Sequence, residues 1–180
     1  NVISSANDAS DLDILVIPGV GAFNHCMSHL KKQGLDEAIL RHTEKEKPLL
    51  GICLGMQLLM DVSSEFGMTH GLGLIPGEVL PIPQKKGGRV PRIEWSPIEL
   101  EQPESIPFAL DGIPETSEFY FAQSYYCHLN LKQHKIASSH YQGSKMSAVI
   151  MSGNITGVQF HPELSGRVGS IIFRNFINRK

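Results

Sequence analysis

The sequence predicts an α/β domain with a mostly parallel central sheet, helices on both faces, and an antiparallel extension in its second half. Two short apolar runs, "DILVIPGVG" (13–21) and "LLGI" (49–52), are each followed by helical spacing, and this strand-helix alternation belongs to parallel sheets buried on both sides. Beyond "GMTHGLGLIPG" the pattern changes to strand-like pieces cut by Pro, Gly and Asn, which suits antiparallel pairing. At 180 residues the chain has the size of one well-packed domain, read as spanning 1–180.

The first strand follows Asp11 and Asp13 and stops at the Pro-Gly turn. Residues 22–45 place Phe23, Cys26, Met27 and Leu30 on one helical stripe, break at Gly34, and resume with Leu35, Ala38 and Ile39 before a charged end. Pro48 closes that stretch, "LLGI" forms the next strand, and "LGMQLLMDVSSEF" (54–66) predicts a helix. "GEVLPI", "GRVPRIEWSPIEL", "SEFYFAQSYYCHL" and "HKIASSHY" read as strands, and "MSGNIT" has the Gly-Asn pair of a tight hairpin. The C-terminal "RVGSIIFRNFINRK" puts Val168, Ile171, Ile172 and Phe176 on one helical face. The chain begins without Met and runs quickly into a strand, so one strand-helix unit, roughly 30 residues, is expected to be absent in front of it.

Composition narrows the function. Apolar residues make up 41%, charged residues 19%, and the formal net charge is −2, so no electrostatic feature favours nucleic acid or anionic lipid. With no apolar run of transmembrane length and no leader-like start, a membrane role is not expected and a cytoplasmic location is. Cys26, Cys53 and Cys127 are odd in number and widely spaced, as reduced thiols would be, and none forms a C-x-x-C pair, so neither a metal nor another cofactor is expected.

"G-I-C-L-G" (51–55) has the form of a nucleophile elbow, in which a strand ends, one residue is held strained with its side chain presented, and a helix begins at once. Gly51 and Gly55 avoid collisions across that turn. The following helix should favour thiolate at Cys53, and the Leu54 N–H should point where an oxyanion forms. The pentapeptide alone fits a buried structural cysteine equally well. "GVQFHPELSG" (157–166) supplies a second component: in an extended segment His161 and Glu163 project to the same side, and Pro162 biases His161 towards that conformation. A histidine that takes the thiol proton and a carboxylate that fixes its tautomer make a relay. The third component, "IPGVGAF" (17–23), offers backbone N–H groups near Val20 and Gly21 for an oxyanion, or is a plain turn.

Together these motifs resemble the triad, class I glutamine amidotransferases, whose flavodoxin-like three-layer domains take ammonia from glutamine. "PGVGAF", "GICLGMQLL", "YFAQSYY" and "GVQFHPE" are similar, in this order and spacing, to the branch of glutaminase subunits that serve imidazole glycerol phosphate synthase in histidine biosynthesis. The resemblance implies Cys53 as nucleophile, His161 as base and acid, and Glu163 as its orienter. It implies an oxyanion hole at Leu54, Val20 and Gly21, an elbow shaped by Gly51 and Gly55, and a glutamine pocket with Gln57, Glu65, Ser124 and Tyr125. A zwitterionic substrate needs a carboxylate such as Glu65 for its ammonium, whereas Gln57 also fits an exposed helix position. The implied partner is a (β/α)8-barrel cyclase bound as a heterodimer.

Some positions depart from that branch. Arg92 stands for the usual histidine, Glu94 for glycine, Ser96 for asparagine, Gln123 for histidine and Leu164 for lysine. The resemblance places Arg92, Gln123 and Leu164 near the partner interface or at the mouth of the ammonia channel, with Trp95 as an anchor if exposed. These departures leave two alternatives open: a paralogous glutaminase that feeds a sugar-aminating synthase, and a stand-alone cysteine hydrolase of γ-glutamyl or peptide bonds. A catalytically silent regulatory subunit is a further one.

Overall fold

The computed structural model describes residues 2–3, 12–102 and 104–179; most of the opening stretch, with Asp11, lies outside the described residues. Strand β1 (Leu15–Ile17) leads to helices α1 (Phe23–Lys32) and α2 (Leu35–Glu44), which are separated at Gly34, a left-handed position with φ 66°. Strand β2 (Leu49–Ile52) runs straight into α3 (Leu54–Leu58). There follow β3 (Val62–Ser63), β4 (Thr69–His70), β5 (Gly77–Pro81), β6 (Arg92–Pro97), β7 (Glu99–Leu100), β8 (Glu118–Gln123), β9 (Tyr125–Leu129), β10 (Lys135–Tyr141), β11 (Ser144–Ser152), β12 (Ile155–Val158) and α4 (Gly166–Ile177).

The main sheet has the order β1-β2-β12-β11-β10-β7. Its first three strands are parallel, with Ile17 beside Gly51 and Gly51 beside Gly157, and the rest is the antiparallel extension. β2 is buried along its whole length, as its unbroken apolar run requires. Its side chains feed two cores: Leu49 packs with Phe23, Met27 and Met56 on one face, and Leu50 and Ile52 pack with Phe160, Ile172 and Phe176 on the other. Helices therefore cover the two faces separately, α1 and α2 on one and α4 on the other, giving three layers. Two smaller sheets, β4-β3-β5-β9 and β6-β8, complete the described residues.

The Gly153-Asn154 pair makes the expected hairpin, with Ser152 opposite Ile155 and Gly153 at φ 56°. Asn154 Nδ2 also donates to Lys47 O at 2.6 Å, tying the turn to the end of α2.

Two elements differ from the sequence expectation. The helix predicted over 54–66 stops at Leu58, because the next carbonyls are taken from outside: Leu58 O accepts from Leu72 N, Leu59 O from Leu74 and Ile75 N, Met60 O from Gly73 N, and Asp61 O from Gly71 N. Leu58, Leu59 and Met60 are fully buried, so their spacing reflects burial on all sides, and helical periodicity has no exposed face to mark. The "SEFYFAQSYYCHL" strand divides at Ser124, where β8 pairs with β6 and β9 with β5. That change of partner turns residues 122–125 into the wall of a cavity.

Candidate functional site

The carboxyl ends of the neighbouring strands β1, β2 and β12 deliver the turn 18–21, Cys53 and the segment 159–163 to one edge of the sheet, where open α/β sheets bind ligands. Cys53 sits between β2 and α3 with φ 52° and ψ −107°, a conformation a non-glycine residue adopts only when its surroundings enforce it. The surroundings are close-packed. A Cβ on Gly55 would lie 1.8 Å from Ile17 O, and one on Gly51 would lie 2.6 Å from Gly55 O, so the elbow is pressed against β1 with no room for side chains. The Cys53 N–H donates to Val158 O at 2.8 Å, which locks the elbow to β12 as well.

The sulfur is buried. It donates to Ala122 O and accepts from Gln159 Nε2, each at 3.8 Å, and no hydrogen bond joins it to His161. Burial pushes the thiol up to about 11, with the Leu54 amide opposing, the charge of Glu163 adding to the rise and Gln159 opposing it. Contrary to the expectation that the following helix favours thiolate, α3 is only five residues long, and in the resting state desolvation of the sulfur outweighs the Leu54 amide at its start.

His161 and Glu163 are paired, but by a different route from the extended geometry expected. β12 ends at Val158, His161 is extended at φ −99° and ψ 96°, and Pro162–Leu164 form a 3-10 turn that swings Glu163 back. His161 Nδ1 donates to Glu163 Oε1 at 2.7 Å, which leaves Nε2 as the basic nitrogen. His161 is almost completely buried, and the Glu163 carboxylate is about half exposed.

Cys53 lines a cavity of about 210 Å³ together with Val20, Gly21, Leu54, Gln57, Glu65, Gln123, Ser124 and Tyr125. Gln57 is buried, unlike the exposed helix position that its spacing also allowed, and its Nε2 donates to Tyr125 O at 3.2 Å and Gln159 Oε1 at 3.3 Å. Glu65 accepts the Phe23 N–H at 2.6 Å through Oε2, so its carboxylate also holds the first turn of α1. The Leu54 N–H does not point into open space: it donates to Gly19 O at 3.4 Å. A bond that long is weak, and an oxyanion must displace it to use this donor.

The four residues expected at a partner interface divide into two pairs. Trp95 is 50% exposed and Leu164 is 53% exposed, with Ile93 also on the surface. Trp95 meets Tyr120 edge-on at 5.8 Å, and the Tyr120 ring lies 6.3 Å from that of His161, so Trp95 and Tyr120 border the turn that carries His161. Arg92 and Gln123 are buried, which removes Arg92 as a surface contact and puts Gln123 on the cavity wall. The Arg92 guanidinium stacks 4.0 Å from the Phe121 ring centre and donates to Ser139 Oγ at 2.6 Å and Glu94 Oε1 at 3.1 Å. Opposite Arg92 on β8, Gln123 lines the cavity.

Sequence reasoning missed Gln159 and Ser165. Gln159 was visible in principle, since period-2 alternation along 157–161 puts it on the same side as His161. Ser165 carried no signal, because its hydrogen bonds to Tyr120 N and His161 O form only where β8 arrives beside the turn that carries His161.

A family profile described as "Glutamine amidotransferase class-I" matches residues 2–179. The chain belongs to the class-I glutamine amidotransferase family. Within that family it is 41% identical over 175 residues to the imidazole glycerol phosphate synthase subunit HisH of Caldanaerobacter subterraneus subsp. tengcongensis, covering 97% of this chain and 83% of the relative. It is 39% identical to the subunit of the same name from Chlorobaculum tepidum, covering 97% and 85%. Among solved amidotransferase structures, one described as a glutamine amidotransferase superposes with a TM-score of 0.70 at 17% identity, covering 97% of this chain and 82% of that one. The structure described as PurLQS from Thermotoga maritima superposes with 0.68 at 18% identity, covering 94% and 80%. These likenesses show a shared amidotransferase fold.

Proposed function

We propose that this chain is the glutaminase subunit of an imidazole glycerol phosphate synthase, and that Cys53, His161 and Glu163 carry the hydrolysis of glutamine to glutamate and ammonia. The observation that carries the site assignment is a cysteine held strained at a strand-helix elbow and opening on a small cavity, together with a buried histidine on the neighbouring strand end whose Nδ1 is held by a carboxylate. In the reaction His161 Nε2 takes the thiol proton as Sγ attacks the side-chain carbonyl of glutamine. The tetrahedral oxyanion is met by the Leu54 N–H, once released from Gly19 O, and by the Val20-Gly21 peptide. His161 then protonates the departing nitrogen, ammonia leaves, and a γ-glutamyl thioester remains. Water activated by His161 attacks it, returns the proton to sulfur and releases glutamate. Glu163 holds the imidazole and balances its positive form throughout.

Gln57, Glu65, Ser124 and Tyr125 surround the substrate, with Glu65 opposing its ammonium group. Ammonia passes to the synthase, a (β/α)8-barrel cyclase that docks on the face carrying Ile93, Trp95 and Leu164 beside Tyr120. The departures at Arg92 and Gln123 are interior, whereas Leu164, in place of the usual lysine, lies exposed on that face and makes it more apolar. The free thiols of Cys26, Cys53 and Cys127 suit the reducing cytoplasm.

Cys53→Ala is expected to abolish ammonia release from glutamine in the presence of the synthase. A glutamine-like chloroketone is expected to label Cys53 ahead of Cys26 and Cys127, as read by peptide mass mapping. Wild-type turnover in the variant, or uniform labelling, would overturn the assignment.

A further inference from the structure

Gln159 is fully buried, and both ends of its side-chain amide are engaged. Which end faces the sulfur follows from a carbonyl two residues away in the network. Tyr125 O can only accept, so the Gln57 atom that meets it at 3.2 Å is the nitrogen, Nε2. That same nitrogen meets Gln159 at 3.3 Å, so the Gln159 atom there is Oε1. The remaining Gln159 atom, 3.8 Å from Cys53 Sγ, is therefore Nε2, a donor. A backbone carbonyl on β9 thus fixes, through two glutamines, an N–H directed at the nucleophile.

We propose that Gln159 is a catalytic residue that stabilises the Cys53 thiolate as it forms, which rests on the reading of Cys53 as nucleophile. Against a neutral thiol an N–H···S contact at 3.8 Å is weak. Once the sulfur is ionised, the same contact becomes charge-assisted and strengthens, in a position sealed from water. The group therefore acts on the charged form selectively, as a catalytic interaction must. It also answers a need of this site, because burial disfavours the thiolate by more than the Leu54 amide favours it.

The test is alkylation of the full folded chain by iodoacetamide, followed on the Cys53 peptide. Near pH 8.5, below the pKa of this thiol, the rate follows the thiolate fraction, which falls tenfold for each unit of upward shift. Gln159→Met, similar in length but without a donor, is expected to slow alkylation about 10- to 100-fold, the range of a lost hydrogen bond to a charged group. Gln159→Glu keeps the native shape and replaces the donor by an acceptor, so it is expected to be slower still. A packing role predicts the reverse order, with the isosteric Glu variant closer to wild type. In the unaltered chain the Gln159 side-chain amide proton resonance should move as Cys53 ionises, and stay fixed in Cys53→Ala. Wild-type alkylation in Gln159→Met, a Glu variant no slower than the Met variant, or a pH-invariant amide resonance would each overturn the proposal. Retention of glutaminase activity by Cys53→Ala would bring down the nucleophile assignment itself, and is read without any change at Gln159.

Discussion

Tyr120 on β8 holds both ends of the turn that carries His161: its carbonyl accepts the His161 N–H at 2.8 Å, and its own N–H donates to Ser165 Oγ at 3.0 Å. Ser165 Oγ in turn donates to His161 O at 2.6 Å, closing a ring of three hydrogen bonds through the two buried ends of the turn, His161 and Ser165. The imidazole is thereby placed by a strand from a different sheet.

Ser165 is a positioning residue, and its loss should separate rate from binding. Ser165→Ala is expected to lower kcat for glutamine about 10- to 100-fold, the range seen when a reacting group is displaced by about an ångström, with KM little changed. Steady-state kinetics with the synthase present checks this, and a change confined to KM would contradict it.

Gly55 is the position at which the elbow touches β1. Gly55→Ala is expected to cost about 3 kcal/mol or more, because the added carbon would meet the Ile17 carbonyl at 1.8 Å and neither backbone segment can yield alone. Urea denaturation of the variant measures the loss.

The Cys53 thiol makes stability fall at alkaline pH. Its pKa is raised from the ordinary value of 9.0 to about 11, so above pH 9 the unfolded chain loses this proton before the folded one does. The contribution is intact below pH 9 and declines as pH rises towards 11, by about 3 kcal/mol in total. Cys127, raised by burial, acts in the same direction. Cys53→Ala should flatten the decline in denaturation series across that range, and Cys53→Ala with Cys127→Ala should flatten it further.

Arg92 is interior and Trp95 is not, so they should respond to different measurements. Arg92→Ala is expected to cost about 2–5 kcal/mol through the cavity it leaves, while Arg92→Met, which refills the space, should cost much less. Neither change should weaken binding of the synthase. Trp95→Ala should leave stability nearly unchanged and weaken the complex about tenfold or more, as titration calorimetry would show.

Local signals recovered β1, the division of α1 from α2 at Gly34, β2 to the residue, and the Gly153-Asn154 hairpin, because each depends on a short apolar run or on a glycine at positive φ. The helix over 54–66 was overestimated because its carbonyls are claimed by residues 71–75, a contact that periodicity does not carry. At the site, Cys53, Gln57 and Glu65 fall around one cavity, as the family resemblance implies and as spacing alone does not. The His161-Glu163 pair was legible as a pair and illegible as a geometry, since the 3-10 turn that makes it follows from Pro162 and from the packing of α4. The protonation state of Cys53 and the burial of Arg92 were out of reach, because both depend on what surrounds them from other strands.

That packing of α4 gives the tail of the chain a part in chemistry. Gly169 lies so close to the Pro162 carbonyl that an added carbon would sit 1.8 Å from it, so the last helix is braced against the turn that carries the base. A chain shortened before this helix would keep Cys53, His161 and Glu163 and still lose the backstop that holds the imidazole in line. Damage at the C-terminus would then reach two places at once, the core face that Ile172 and Phe176 cover and the turn that carries His161.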